Sequence, residues 1–381
     1  MSSGNTRKSE SDQAKTRRME STSNRNRLLY LDWLRGVAGI IMLQGHVFQS
    51  FLKPELRGGA SYMLSQFFGG MPPAIFLFLT GITLAFLMHS LERKGLSPRS
   101  RITGTLRRAG YLFGIAFVFR LQLWLFSWPS PWTNLFKVDI LNCMGVGIAL
   151  LSVMALFTTA QRARICAALG LLIAGVSPLF SQINWSGVPW IVKAYLAPDY
   201  NYFSLFPWAA YLAFGMSAGS LLRLLKPEQL DRAMQWSALL GIAMVVTARY
   251  FANLPFSIYP KSEFWLDSPA QVLIKQGVTL AMLALAYLWT QYAAAPGWSW
   301  VRQFGTASLL VYWVHIELVY GRWLPFCKNN LDVGQTVLAS FVVIALMLLL
   351  AVGKTYRKDV AAYLSAWRWS QFPKPDRVPA D

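Results

Sequence analysis

Apolar windows of bilayer-spanning length recur along the whole chain, at about residues 28–52, 67–90, 107–127, 137–158, 163–181, 201–223, 233–253, 269–291, 303–323 and 333–353. In hydrocarbon, backbone amides and carbonyls must be satisfied without water, so windows of this length are expected to be helices. The expected fold is therefore all-α: a polytopic integral membrane protein with about ten transmembrane helices over 28–353. Polar, basic segments at 1–27 and 354–381 flank that domain. A composition of 55% hydrophobic residues with mean hydropathy +0.37 fits this class better than a soluble domain of 381 residues.

The net charge of +19 would suggest nucleic acid as a partner in a soluble chain. Here loop placement explains it. With the N-terminus inside, about 25 of the 36 Lys and Arg fall on the cytoplasmic side and about 8 outside. Arg35, Arg120 and Lys275 lie within spans. Both termini are thus expected in the cytoplasm, with the 292–302 loop and its single Arg302 the weakest marker. Residues 1–27 have too little apolar surface to fold alone and read as a disordered tail. The window that follows exceeds a signal-peptide core in length and has no small-residue cleavage pattern, so it reads as a retained signal-anchor helix. Cys143, Cys166 and Cys327 have no paired spacing, which indicates neither a disulfide framework nor a metal site.

The first window carries three ionisable groups, Asp32, Arg35 and His46. At ~100° per residue the eleven steps from Arg35 to His46 close within about 20° of three turns and rise ~16 Å. Asp32 lies one turn before Arg35, so the three share one stripe, with Gly36 and Gly39 close to it. Such a stripe faces protein or water rather than lipid. Asp32 and Arg35 could equally be an interfacial i,i+3 pair that fixes the helix end. His46, ~27 Å along the helix and near the outer leaflet, is by default a functional group.

Other polar residues recur at helix ends. Pro72 and Pro73 suit a first helical turn, and Gly69, Gly70 and Gly81 allow close backbone approach. His89 reads as an interfacial histidine beside Glu92. The 91–108 loop holds Arg93, Lys94, Arg99, Arg101, Arg107 and Arg108, a positive-inside signal that could also bind phosphates. Arg120 and Asp139 are expected to pair, with Asn142 one turn on from Asp139, and that pair could be purely structural. Ser308, Tyr312 and His315 share one face of the 303–323 window and read as polar contacts between helices. Outer tryptophans, Trp208 among them, fit an interfacial belt and could also offer platforms to a sugar. Gly215 and Gly219 form a packing face, and Tyr363 to Trp369 could lie amphipathically on the membrane.

Arg35, ten residues and His46, preceded by LDWLRG, resemble the first-helix signature of the transmembrane acyltransferases, that is, the acyltransferase-3 family and its heparan-α-glucosaminide N-acetyltransferase-like relatives. FLFLTGITLAF, FPWAAYLAFGMSAG and SLLVYWVH are similar to later segments of the same families, so the resemblance covers roughly residues 27 to 350.

The resemblance implies an enzyme that takes an acyl group, first of all acetyl, from cytoplasmic acyl-CoA and delivers it to an extracytoplasmic saccharide or similar acceptor, on oxygen or nitrogen. No metal is called for. His46 would act as general base or as covalent acyl carrier. Asp139 would orient it, or Asp32 if the helix unwinds. Arg35, Arg107 and Arg108 would hold the CoA phosphates, and Arg120, Asn142, Tyr312 and His315 would line the substrate path. The lack of a large luminal region before the first helix points to a bacterial plasma (inner) membrane protein, which could form homo-oligomers. The competing class is a proton-coupled transporter using the same charges, though matched broken helices in two repeats are not visible. A non-catalytic envelope scaffold is a third alternative.

Overall fold

The computed structural model describes residues 29–294 and 297–370, with side chains through residue 357. The tail expected at 1–27, the last residues from 371 and the side chains of 363–369 lie outside this description. Thirteen α-helices occur among the described residues: α1 (29–51), α2 (Ala60–Gly69), α3 (Pro72–Arg93), α4 (Pro98–Phe126), α5 (Ile140–Leu151), α6 (Thr159–Gln182), α7 (Trp190–Leu196), α8 (Leu205–Leu224), α9 (Leu230–Ala252), α10 (Pro269–Leu288), α11 (Trp300–Thr306), α12 (Ser308–Tyr320) and α13 (Val333–Ser370).

The fold is all-α and of multi-pass membrane type. Among the described residues six helical segments are long and apolar enough to cross a bilayer: Ala60–Arg93, Pro98–Phe126, Thr159–Gln182, Leu205–Leu224, Pro269–Ala293 and Val333–Arg357. Helices α1 and α9 are of similar length, and their polar residues make them less apolar. Two further apolar segments, Ile140–Leu156 and Ser308–Tyr320, are shorter.

Local chemistry explains several helix starts. Pro72 and Pro73 occupy the first turn of α3, where their missing amide protons cost little. Thr158 caps α6 in a reciprocal box with Gln161. Asp139 caps α5 by accepting from the amides of Leu141 and Asn142. Packing in the middle of the bundle relies on small residues. A Cβ on Gly215 of α8 would sit 1.9 Å from the carbonyl oxygen of Phe78 in α3, which bears out the packing face expected there.

The window 303–323, expected as one helix, is two. The chain breaks at Ala307, where φ and ψ are −108° and 14°, between α11 and α12. Just before the break, α11 packs closely on α1. A Cβ on Gly305 would fall 1.9 Å from the carbonyl oxygen of Asp32, and one on Gly36 would fall 1.9 Å from that of Val301. The α1 and α11 backbones therefore touch through two glycines. Gly305→Val should force these helices apart and destabilise the fold by about 1–3 kcal/mol or more. A lower thermal unfolding midpoint would show this, and an unchanged midpoint would count against the contact.

Candidate functional site

Helices α1 and α12 lie side by side and run parallel, because their contacting residues rise together. His46 meets His315, and Ser50 Oγ donates to Val319 O at 2.9 Å. Tyr320 Oη donates to Gln49 Oε1 at 2.6 Å. Helix α2 clamps the other side of α1, with Gln66 Nε2 donating to Gly45 O at 3.0 Å and Gln44 Nε2 to Ser65 Oγ at 2.6 Å. The residues on either side of His46 are thus held by two different helices.

His46 Nδ1 lies 2.9 Å from His315 Nε2, and the two rings stack with centroids 5.1 Å apart. His315 Nδ1 lies 2.8 Å from Val311 O. A carbonyl oxygen can only accept, so His315 carries its proton on Nδ1. In a neutral ring Nε2 is then the acceptor, and His46 must donate to it from Nδ1. The chain of bonds leaves the lone pair of His46 on Nε2, away from His315. His315 is fully buried, whereas His46 is only partly so, which fits a supporting group behind an accessible one. The Tyr312 ring flanks His315 at 5.8 Å and Tyr320 flanks His46 at 5.5 Å.

His315, expected to line substrate, therefore holds the position expected of Asp139. Asp139 is committed elsewhere: it pairs with Arg120 at 3.0 Å, as expected, and caps α5. Asn142 donates from Nδ2 to Lys137 O at 3.2 Å, so it too secures the start of α5. Asp32 does not reach His46. Helix α1 is unbroken from 29 to 51, and fourteen residues separate the two by ~21 Å. Asp32 instead pairs with Arg35 at 2.7 Å.

Arg35 and Arg108 come together at the other end of the stripe, within electrostatic reach of each other, and Arg108 Nη2 donates to Thr83 Oγ1 at 3.0 Å. Arg107 is exposed, turned away from Arg108 by one helical step. Arg302 acts on Asp32 from α11, an addition that its reading as a topology marker had not anticipated. His89, beside Glu92 as expected, has Nδ1 3.0 Å from Thr159 Oγ1, next to the ion pair between Glu92 and the fully buried Arg162.

Between the two ends of the stripe lies Gly39. It is buried, yet a Cβ built on it would meet nothing within 4 Å among the described residues. It sits about 20° from His46 in helical projection and about 40° from Arg35. Gly39 thus leaves space on α1 between a cluster of guanidinium groups and the His46 imidazole.

A neutral imidazole held in one tautomer inside a multi-pass helical bundle can act as a base or as a nucleophile. The chain matches the model of an acyltransferase domain, acyltransferase-3, over residues 28–355, and it belongs to that family. No curated protein matches it significantly.

Proposed function

We propose that this membrane acyltransferase takes its acyl group from acyl-CoA on the cytoplasmic side and passes it to an extracytoplasmic saccharide or similar acceptor. In this reading both termini are cytoplasmic and about ten spans cross a bacterial inner membrane. The observation that carries the chemistry is the chain from Val311 O through His315 to His46, which exposes Nε2 of His46 as the reactive nitrogen. As a base, Nε2 takes the proton of the attacking hydroxyl or amine while the acceptor atom bonds to the thioester carbonyl carbon. When the C–S bond breaks, the proton passes from Nε2 to the departing thiolate, leaving free CoA. As a carrier, Nε2 itself bonds to the carbonyl carbon as the C–S bond breaks and CoA leaves as its thiolate; the acceptor then displaces Nε2 from the acyl carbon and gives its proton to that nitrogen. His315 serves both routes by holding Nδ1–H.

Arg35 and Arg108, with Arg302 beside them, would grip the CoA phosphates. Arg107 stands outside this grip. The ~16 Å between Arg35 and His46 is a length that an extended pantetheine arm can cover, and Gly39 leaves room for it. Gly39→Leu tests this directly. It should leave the unfolding midpoint near wild type, because no neighbour is struck, and should lower CoA release from acetyl-CoA by about tenfold or more, since misplacing reacting atoms by ~1 Å can cost 10²-fold. Wild-type release in a folded Gly39→Leu variant would remove the passage from the account.

A further inference from the structure

One intramembrane charge has no part in this mechanism. Lys275 sits in α10 with Nζ 5.2 Å from the centre of the Trp208 ring. The three ion pairs among the described residues are Asp32–Arg35, Arg120–Asp139 and Glu92–Arg162, so no carboxylate pairs with Lys275. An ionised side chain inside a membrane is costly and, when not neutralised by the protein, marks a place for a ligand. Its surroundings have been kept small. A Cβ on Gly70 would lie 3.8 Å from Nζ, and the neighbouring Gly69 packs its Cα 3.0 Å from a Cβ built on Gly45. Gly45 precedes His46, so one short segment connects the ammonium to the reactive histidine.

Depth agrees with this connection. Lys275 is six residues, ~9 Å, from the start of α10 at Pro269, and His46 is five residues, ~8 Å, from the end of α1 at 51. In the topology proposed above both helix ends are external. Trp208, three residues into α8 from Leu205, opens on the same side. Packing continues from there to the histidines: Trp208 lies 5.8 Å from Tyr211, Tyr211 shares a core cluster with Val272 and Tyr312, and Tyr312 lies 5.8 Å from His315.

Resting on the acyl-transfer reading, we propose that Lys275 and Trp208 form the acceptor subsite and that the acceptor is an acidic saccharide, with Lys275 binding its carboxylate or phosphate and Trp208 stacking on the sugar ring. A lysine ammonium binds either anion as a compact charge, and the aromatic face supplies apolar area beside it.

The test uses the full chain in nanodiscs and three probes: glucuronate, glucose 6-phosphate and glucose. Thermal unfolding is followed for wild type, Lys275→Gln and Lys275→Arg, and CoA release from acetyl-CoA is measured on the same preparations. At least one acidic sugar should raise the unfolding midpoint of wild type and Lys275→Arg by about 2–4 °C at saturation, with glucose having no effect. Lys275→Gln should lose that response. Which acid responds identifies the carboxylate or the phosphate. Equal responses in Lys275→Gln and wild type, no preference for acid over glucose, or no response to any probe would each overturn the subsite. Acid-dependent protection without CoA release in wild type would instead leave the anion site standing and sink the acyl-transfer reading.

Discussion

His46→Ala should reduce acyl transfer by on the order of 10³-fold while acetyl-CoA still protects the protein against thermal unfolding. The two observables separate because they depend on opposite ends of α1. Arg35, Arg108 and Arg302 gather near one end, and His46 meets His315 near the other. Removing the imidazole takes away Nε2 without touching the guanidinium groups. It also leaves His315 bonded to Val311 O, so α12 keeps its local structure. Added imidazole should restore part of the rate, since the truncated side chain leaves a space of its size. A variant that turns over at the wild-type rate would show that the proton is handled elsewhere.

His315 should be nearly as sensitive although it need never touch substrate. In the proposed mechanism it is a positioning residue, whose Nε2 accepts from His46 Nδ1 and so keeps the lone pair on the far nitrogen. His315→Phe fills the space and removes the acceptor, and the rate should fall by roughly 10²-fold, within the range seen when an orienting group is lost. His315→Gln retains an oxygen that can accept, and should recover much of that loss. The difference between Phe and Gln separates a hydrogen-bonding role from simple packing. Equal activities in the two variants, with equal unfolding midpoints, would remove His315 from the mechanism.

The apolar windows were legible because the bilayer imposes length and continuity on every span, and each window falls on helix. The break at Ala307 was not. It lies beside the contact of Gly36 and Gly305 with helices distant in sequence, and nothing local in 303–323 encodes that contact. The site was legible in part. His46 stood out because a histidine in hydrocarbon is unusual, and its stripe with Arg35 follows from helical geometry.

Its partner was assigned to a carboxylate because acids usually orient catalytic histidines. Asp139, the acid expected to do so, was already occupied by Arg120 and the α5 amides. The signal for His315 was nonetheless present. It lies twelve residues into a window entered from the cytoplasm, ~18 Å along, so a comparison of depths would have brought it towards the level of His46. The same helical arithmetic sets Arg107 and Arg108 ~100° apart, and in the structure Arg107 is exposed while Arg108 is partly buried.

The central claim is that His46 cleaves a thioester delivered from the side where Arg35 and Arg108 lie. The most direct measurement is CoA release by wild type and His46→Ala in vesicles of known orientation, with acetyl-CoA supplied to one face at a time. Release by wild type alone, and only from the face bearing the loop between α3 and α4, is the predicted result. Release from neither face, or only from the opposite one, would contradict the account, as would equal release by His46→Ala.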